Sequence, residues 1–210
     1  MSNNKKRLII YGCGGHARSL ADVALANGIE DLIFIDDHAQ PHEKLFGFDV
    51  VKKISDAAHK NLIIAVGDNQ QRAKLFESLQ KNIIALISTN AHIGKNARID
   101  KGAFIASGAH VGPNAKIGAN TIINTHSVIE HDCMIGKHSH ISVNAVVAGK
   151  CEIGDFVMIG AGATVINGIK ICSNVIIGSG AVVVRDVTEP GTYVGVPAKL
   201  IKNVTFTGIL

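Results

Sequence analysis

From Ile93 to Val183 every sixth residue is isoleucine or valine, with no insertion or deletion to break the phase. Sixteen positions hold it, beginning Ile93, Ile99, Ile105, Val111 and ending Ile177, Val183. The residue two before each is usually small, as at Ala97, Ala103, Ala109 and Ala115. A fold assembled from independent helices cannot keep such a phase. Residues two apart on a strand point the same way, so both members of each pair enter one narrow interior. Gly, Asn and Asp then make the turns, because they tolerate positive φ. Three hexads per triangular coil give about 18 residues per coil and roughly five coils of an all-β parallel β-helix. An isoleucine-rich sandwich would need turn signals at wider, less regular spacing.

The composition agrees. Aromatic residues make up 4% and tryptophan is absent, as a thin interior requires. The net charge of +4 comes without a basic block beyond Lys5, Lys6 and Arg7. That argues against nucleic acid and suits small anionic ligands. Cys13, Cys133, Cys151 and Cys172 show no paired metal spacing and read as reduced, cytoplasmic thiols. Cys133 and Cys151 fall one coil apart, as small packing residues. The apolar run Leu8–Tyr11 is too short for a signal peptide, and nothing is long enough for a membrane span.

Residues 1–88 change period and form a first domain, leaving 89–210 to the β-helix and its tail. Leu8–Tyr11 reads as a strand, Gly12–Gly15 as a tight turn and His16–Asn27 as a helix stopped by Gly28. Leu32–Ile35 is a second strand ending in Asp36-Asp37. Leu62–Val66 is a third, before a helix over Gln70–Gln80, and Ile83–Ile87 is a fourth that leads into the repeat. The alternation predicts an α/β domain, a small Rossmann-like parallel sheet with helices on its faces. Ligands of such sheets sit beyond the carboxyl ends of the strands. There the glycine loop and helix N-terminus favour phosphate, beside Asp36 and Asp37 and the Gly67-Asp68-Asn69 loop. Gly12-x-Gly14-x-x-Ala17 fits the dinucleotide pattern, with Asp36 near the ribose-binding spacing. About half a dinucleotide fold suits a mononucleotide or sugar nucleotide better than NAD. The other reading is a glycine turn demanded by chain geometry alone.

His92 and His110 are 18 apart and should stack as an outward ladder. His126, His131, His138 and His140 cluster mid-repeat, none at an aliphatic position. His131 is the third residue of its hexad, outward at a turn, with Pro113 and Gly149 as its neighbours on adjacent coils. Gly149 should leave a notch beside the imidazole, with an approachable backbone N–H. Glu130 and Asp132 flank the ring, and either could orient it. A near-neutral histidine beside a carboxylate is a credible general base; a surface histidine in a polar corner is the plain alternative.

Gly12-x-Gly-Gly-His16, Ile35-Asp36-Asp37, Ile123-Asn124-Thr125, Val128-Ile-Glu-His131-Asp132-Cys133 and Tyr193-Val-Gly-Val-Pro-Ala-Lys199 follow one another along the chain. Together they resemble the sialic acid O-acetyltransferase family of sugar O- and N-acyltransferases. Within it, the chain is most similar to bacterial UDP-4-amino-sugar (bacillosamine-type) N-acetyltransferases of surface glycan synthesis. The resemblance implies a left-handed β-helix, a homotrimer, and acetyl-CoA in grooves between neighbouring helices, with no metal required. It implies His131 as catalytic base and Asp132 in the place of an acidic residue that is often Glu. Gly149 would meet the thioester oxygen through its N–H. Asn124 would contact the sugar, and His140 would lie near the acetyl group. Gly12, Gly14, His16, Asp36 and Asp37 would form the nucleotide pocket, and Ala161, Ser179 and Lys199 would line the coenzyme groove.

The implied reaction is direct acetylation of a 4-amino group on a nucleotide-linked, UDP for preference, 4-amino-4,6-dideoxy sugar. Cys133 should face inward, away from any acyl-enzyme role. A hydroxyl acceptor, as in O-acetyltransferases, keeps the same fold. A third reading is a zinc enzyme like the β-helical carbonic anhydrases. It has two ligands in His126-x4-His131, but Asn90 stands where a third histidine is needed.

Overall fold

The structure, a computed structural model, describes residues 7–53, 61–79 and 82–201. The first domain comprises β1 (Arg7–Tyr11), α1 (Gly15–Ala26), β2 (Asp31–Ile35), β3 (Lys44–Leu45), β4 (Phe48–Val51), β5 (Leu62–Ile64) and α2 (Asn69–Leu79). Its sheet runs β3-β4-β2-β1-β5. The run Leu8-Ile9-Ile10 is apolar throughout because β1 is covered on both sides. Leu8 and Ile10 pack with Ala17, Leu20 and Ala24 of α1, while Ile9 faces Leu75 and Phe76 of α2.

Two details depart from the sequence expectation. The hairpin β3–β4 was not foreseen, and it makes the sheet mixed, since β3 is antiparallel to β4. Its turn, Phe46-Gly47, has positive φ at both residues without the usual Asn-Gly signal. The expected fourth strand divides: Ile83 bridges to Leu62, whereas Leu86–Ile87 pairs with Phe104–Ile105 of the repeat. The expected helix end at Gln80 lies outside the described residues, as does the tail beyond Ile201.

The repeat folds into three sheets, one per face of a triangular solenoid, parallel but for the antiparallel closing strand Lys199–Ile201, with register advancing by one coil. Val111, for example, pairs with Ile129, and Ile129 with Val147. The first face carries Ile93, Val111, Ile129, Val147, Val165 and Val183, and the second Ile99, Ile117, Ile135, Ile153 and Ile171. The third runs from Leu86–Ile87 through Ile105, Ile123, Ile141, Ile159 and Ile177 to Gly191–Val194 and Lys199–Ile201. The third face thus stacks eight strands against the roughly five coils expected: Ile87, in phase six residues before Ile93, adds one, and two strands beyond the period close the other end. The interior is aliphatic residues and their small partners, Cys133 and Cys151 among them, buried from Ala103 onward, while Ile93 at the open end is exposed. At the corners Asn96, Asn114, Asp132, Lys150 and their counterparts hold φ near +60°.

The third face is not a free surface. Its outward residues Phe104 and Ile122 join the core beneath α1. At its second–third corner α2 inserts Arg72, which is 1% exposed. The guanidinium donates to the carbonyls of Asn120 (2.9 Å), His138 (3.0 Å) and Ser139 (3.2 Å) on the solenoid. It also donates to Val66 and Gly67 carbonyls and to Asn69 Oδ1. Burial lowers its pKa to about 10, so it stays charged at neutral pH. Among the described residues no helix is long and apolar enough to cross a membrane.

Candidate active site

His131 stands at the corner between the first and second faces. Its side chain is 51% exposed, and its Nδ1 lies 2.8 Å from Asp132 Oδ2. The shorter carboxylate therefore reaches the ring from the next residue. Asp132 can do so because its backbone is left-handed, φ 60°, a conformation that Asp tolerates better than most residues. Hydrogen bonds from His131 first, and Asn114 second, hold the Asp132 carboxyl below its ordinary pKa. With Nδ1 committed to the carboxylate, Nε2 is the free nitrogen.

That ring lies across Gly149. A Cβ there would sit 2.6 Å from His131 Nε2 and 2.8 Å from Cε1. The notch exists, and the imidazole itself fills it, so Gly149 is buried. Among the described residues the Gly149 N–H makes no hydrogen bond, whereas its neighbours Ala148 and Lys150 donate to Val165 and His131 carbonyls. An unpartnered donor thus belongs to the glycine that a carboxylate-oriented histidine covers. That pairing suits proton removal from a nucleophile and stabilisation of a developing oxyanion.

A second cluster forms where the first domain meets the third face. Gly12 has φ +112°, and a Cβ there would lie 2.9 Å from the Ala65 carbonyl, so only glycine fits this turn. Asp36 accepts from the N–H of Cys13 (3.1 Å) and of His38 (2.9 Å), tying the glycine loop to the end of β2. Asp37 is exposed, and burial first and the Asp37 charge second raise the pKa of the nearby Tyr11 hydroxyl. Gly14 caps α1 without a side-chain bond, leaving the helix N–H groups open. His16, in the first turn, packs edge-on to Phe104 (5.4 Å) and lies 6.3 Å from the His140 ring. Its Nε2 is buried without a partner among the described residues. Asn124 Oδ1 accepts from the Thr125 N–H, so its Nδ2 must face His140 Nε2, at 3.0 Å. His140 is therefore the neutral tautomer with the proton on Nδ1. Burial, helped by Arg72, lowers His140 to about 3 and His16 to about 4.

The first cluster and the second do not meet within one chain. His131 occupies the corner opposite the third face, the face that α1 and α2 cover. Asn124 opens the third–first corner, where exposed Ala161 and Ser179 stack one coil apart, Gly180 N–H donating to the Ala161 carbonyl. Lys199 caps the same side: it pairs with Val194, the neighbour of Gly178, and is exposed, lining a cavity of about 270 Å³ with Arg185, Asp186 and Tyr193. Arg185 falls on the His131 corner three coils farther along, roughly 14 Å at strand spacing. His126 lies on the third–first corner with its ring against Gly108, so His126 and His131 do not converge in one chain. His92 and His110 stack at 4.9 Å, as their spacing predicts. Asn114, Arg72 and Arg185 were not singled out from sequence. Only Asn114 carried a signal, sharing an 18-residue phase with Asn96 and Asp132.

Residues 7–79 match a family model described as the PglD N-terminal domain. Residues 90–125 and 150–185 match the bacterial transferase hexapeptide (six repeats) model. The acetyltransferase domain of PglB from Neisseria gonorrhoeae is 29% identical with a TM-score of 0.87, over 94% of this chain and 100% of that one. A perosamine N-acetyltransferase from Caulobacter crescentus, in complex with CoA and GDP-perosamine, is 30% identical with a TM-score of 0.86, over 94% and 98%. WeeI from Acinetobacter baumannii is 28% identical with a TM-score of 0.84, over 93% and 100%. The likeness spans both domains, and the chain belongs to the PglD-type family of hexapeptide acetyltransferases.

Proposed function

We propose that the chain is an acetyl-CoA-dependent N-acetyltransferase acting on a nucleotide-linked amino sugar, the 4-amine of a UDP-linked 4-amino-4,6-dideoxy sugar above all. The observation that carries this reading is the His131–Asp132 pair laid over the unpartnered N–H of Gly149. His131 Nε2 takes the proton of the amine as it attacks the thioester carbonyl. Gly149 N–H meets the oxyanion, a contribution of about 3 kcal/mol for a good donor. The protonated His131 then returns its proton to the departing thiolate, so no acyl-enzyme forms.

In this reading residues 1–88 hold the nucleotide sugar and residues 89–210 carry the transfer. Gly12, Gly14, His16, Asp36 and Asp37 bind the nucleotide, and Asn124, buttressed by His140, faces the sugar. Arg185, at the far end of the His131 corner, and Lys199, across the end cavity from it, supply cations for the coenzyme phosphates, and Ala161 and Ser179 line the wall on the Lys199 side. Both walls flank the first face, whose outward row Val128, Val146, Thr164 and Val182 is largely apolar and half-buried. A closed ring built on that face sets the His131 corner of one protomer beside the Asn124 corner of the next. A homotrimer thereby completes a site that one chain leaves divided.

The test is a CoA-release assay with acetyl-CoA and UDP-, GDP- and dTDP-linked 4-amino sugars, each beside its 4-hydroxy counterpart. Turnover of one amino sugar and a fall of about 10²–10⁴-fold in His131→Ala support the reading. Turnover of hydroxy sugars alone means O-acetylation, and an undiminished His131→Ala removes the base.

A further inference from the structure

The corner that carries His131 is laced by a polar ladder running in from the first coils. Asn96, Asn114 and Asp132 are 18 apart and share left-handed backbone, φ 61°, 60° and 60°. Their side chains therefore stack along the solenoid axis. Asn96 Nδ2 donates to Asn114 Oδ1 at 3.3 Å, Asn114 Nδ2 donates to Asp132 Oδ1 at 3.0 Å, and Asp132 Oδ2 meets His131 Nδ1 at 2.8 Å. We propose that Asn114 is a positioning residue for the transfer reaction, aiming the Asp132 carboxylate so that His131 Nε2 points at substrate.

The ladder has a direction. An ionised carboxylate only accepts, so Asn114 must turn its NH₂ toward Asp132, which leaves its oxygen for Asn96. Each Asp132 oxygen then has one donor, and the plane of the carboxylate is fixed. Without Asn114 that plane is free to rotate: the Asp132 side chain is 42% exposed, and Lys150, next along the corner, attracts it. A short carboxylate contacting the very next residue has little reach to spare. Small rotations would take Oδ2 out of line with Nδ1 and leave the ring to swing over Gly149. The backbone also enforces the stack, since Asn114 N–H donates to the Lys95 carbonyl and Asp132 N–H to the Pro113 carbonyl, both at 3.0 Å.

This inference rests on His131 being the base, and the variants separate the two. Asn114→Gly keeps the left-handed turn without strain and removes the amide; Asn114→Asp keeps the shape and replaces the donor by a repelling oxygen. Both should lower kcat about tenfold, the scale of a slightly misaligned reacting group, with KM for both substrates and Tm nearly unchanged. In an Asp132→Ala background neither should cause further loss, because Asn114 acts only through that carboxylate. Wild-type kcat in both variants, with His131→Ala inactive, overturns the role of Asn114 and leaves the base standing. An equal loss with and without Asp132 also overturns it. A fully active His131→Ala removes the base and the ladder's purpose together.

Discussion

Replacing Gly149 by alanine puts one carbon where the His131 ring lies and nowhere else that matters. The added Cβ would sit 2.6 Å from Nε2, while ordinary contact begins near 3.4 Å, so the imidazole must retreat by roughly 0.8 Å. It can do so cheaply: the ring is the end of a half-exposed side chain, and Gly149 is not in the left-handed region. Folding should therefore be intact, with Tm within about 2 °C of wild type, far less than a core change would give. Catalysis is less forgiving, because a displacement of about 1 Å costs on the order of 10²-fold. In a CoA-release assay kcat/KM should fall roughly 30- to 100-fold, mostly in kcat. Gly118→Ala is the matched control. Its Cβ would meet the Lys137 N–H nitrogen at 2.6 Å and the Gly136 carbonyl carbon at 2.7 Å, so it should destabilise the solenoid. Wild-type turnover in Gly149→Ala, or a Tm loss as large as that of Gly118→Ala, would refute the account of the ring's seat.

Arg72→Met should strip the Asn120 and His138 carbonyls of their buried donor, at roughly 1–3 kcal/mol each, and lower Tm by roughly 5–15 °C; an unchanged melting curve contradicts the docking role. His16 and His140 titrate near 4 and 3 in the folded chain but near 6.5 when unfolded. Between those values the unfolded chain binds more protons, so stability is full above pH 6.5 and falls as the pH drops. Melting curves from pH 7.5 to 4.5 should show that decline, and His140→Asn should flatten it; parallel slopes for the two proteins would count against buried neutral imidazoles. Val146→Asp, in the apolar row of the first face, should yield monomers by light scattering and lose activity with assembly. A trimer of full activity would mean the chain closes its site another way.

Most of the solenoid was legible because its forces are local and repeated. One hexad states which residue goes inward, and the next restates it, so coil length and facet assignment follow from spacing alone. The same logic failed where the period stops. Ile87 keeps the phase, six residues before Ile93 and with small Ala85 two before it, but its pairing with Phe104-Ile105 was merged with the adjoining Ile83 into one strand. The Phe46-Gly47 hairpin lacks the side-chain chemistry that usually announces its backbone. Gly12, by contrast, needed glycine for two reasons at once, conformation and closeness to Ala65, and both left the same mark on the sequence.

The site was half legible for a related reason. His131 and Gly149 are one coil apart, so the repeat predicts their meeting; the seat of the ring on the glycine follows from the period. His140 obeys the same period, which marks it as outward, yet it is buried, because its outward face is covered by a domain from elsewhere in the chain. Nothing in the hexads encodes that cover. Arg72 looks like any exposed helical arginine until six acceptors close around it, and its charge then helps hold His16 and His140 neutral. The solenoid thus fixes where groups stand, and docking fixes what protonation state they keep. An Arg72 variant that retained its fold should reveal the distinction: His140 should become easier to protonate, since burial would remain and one repelling charge would be gone.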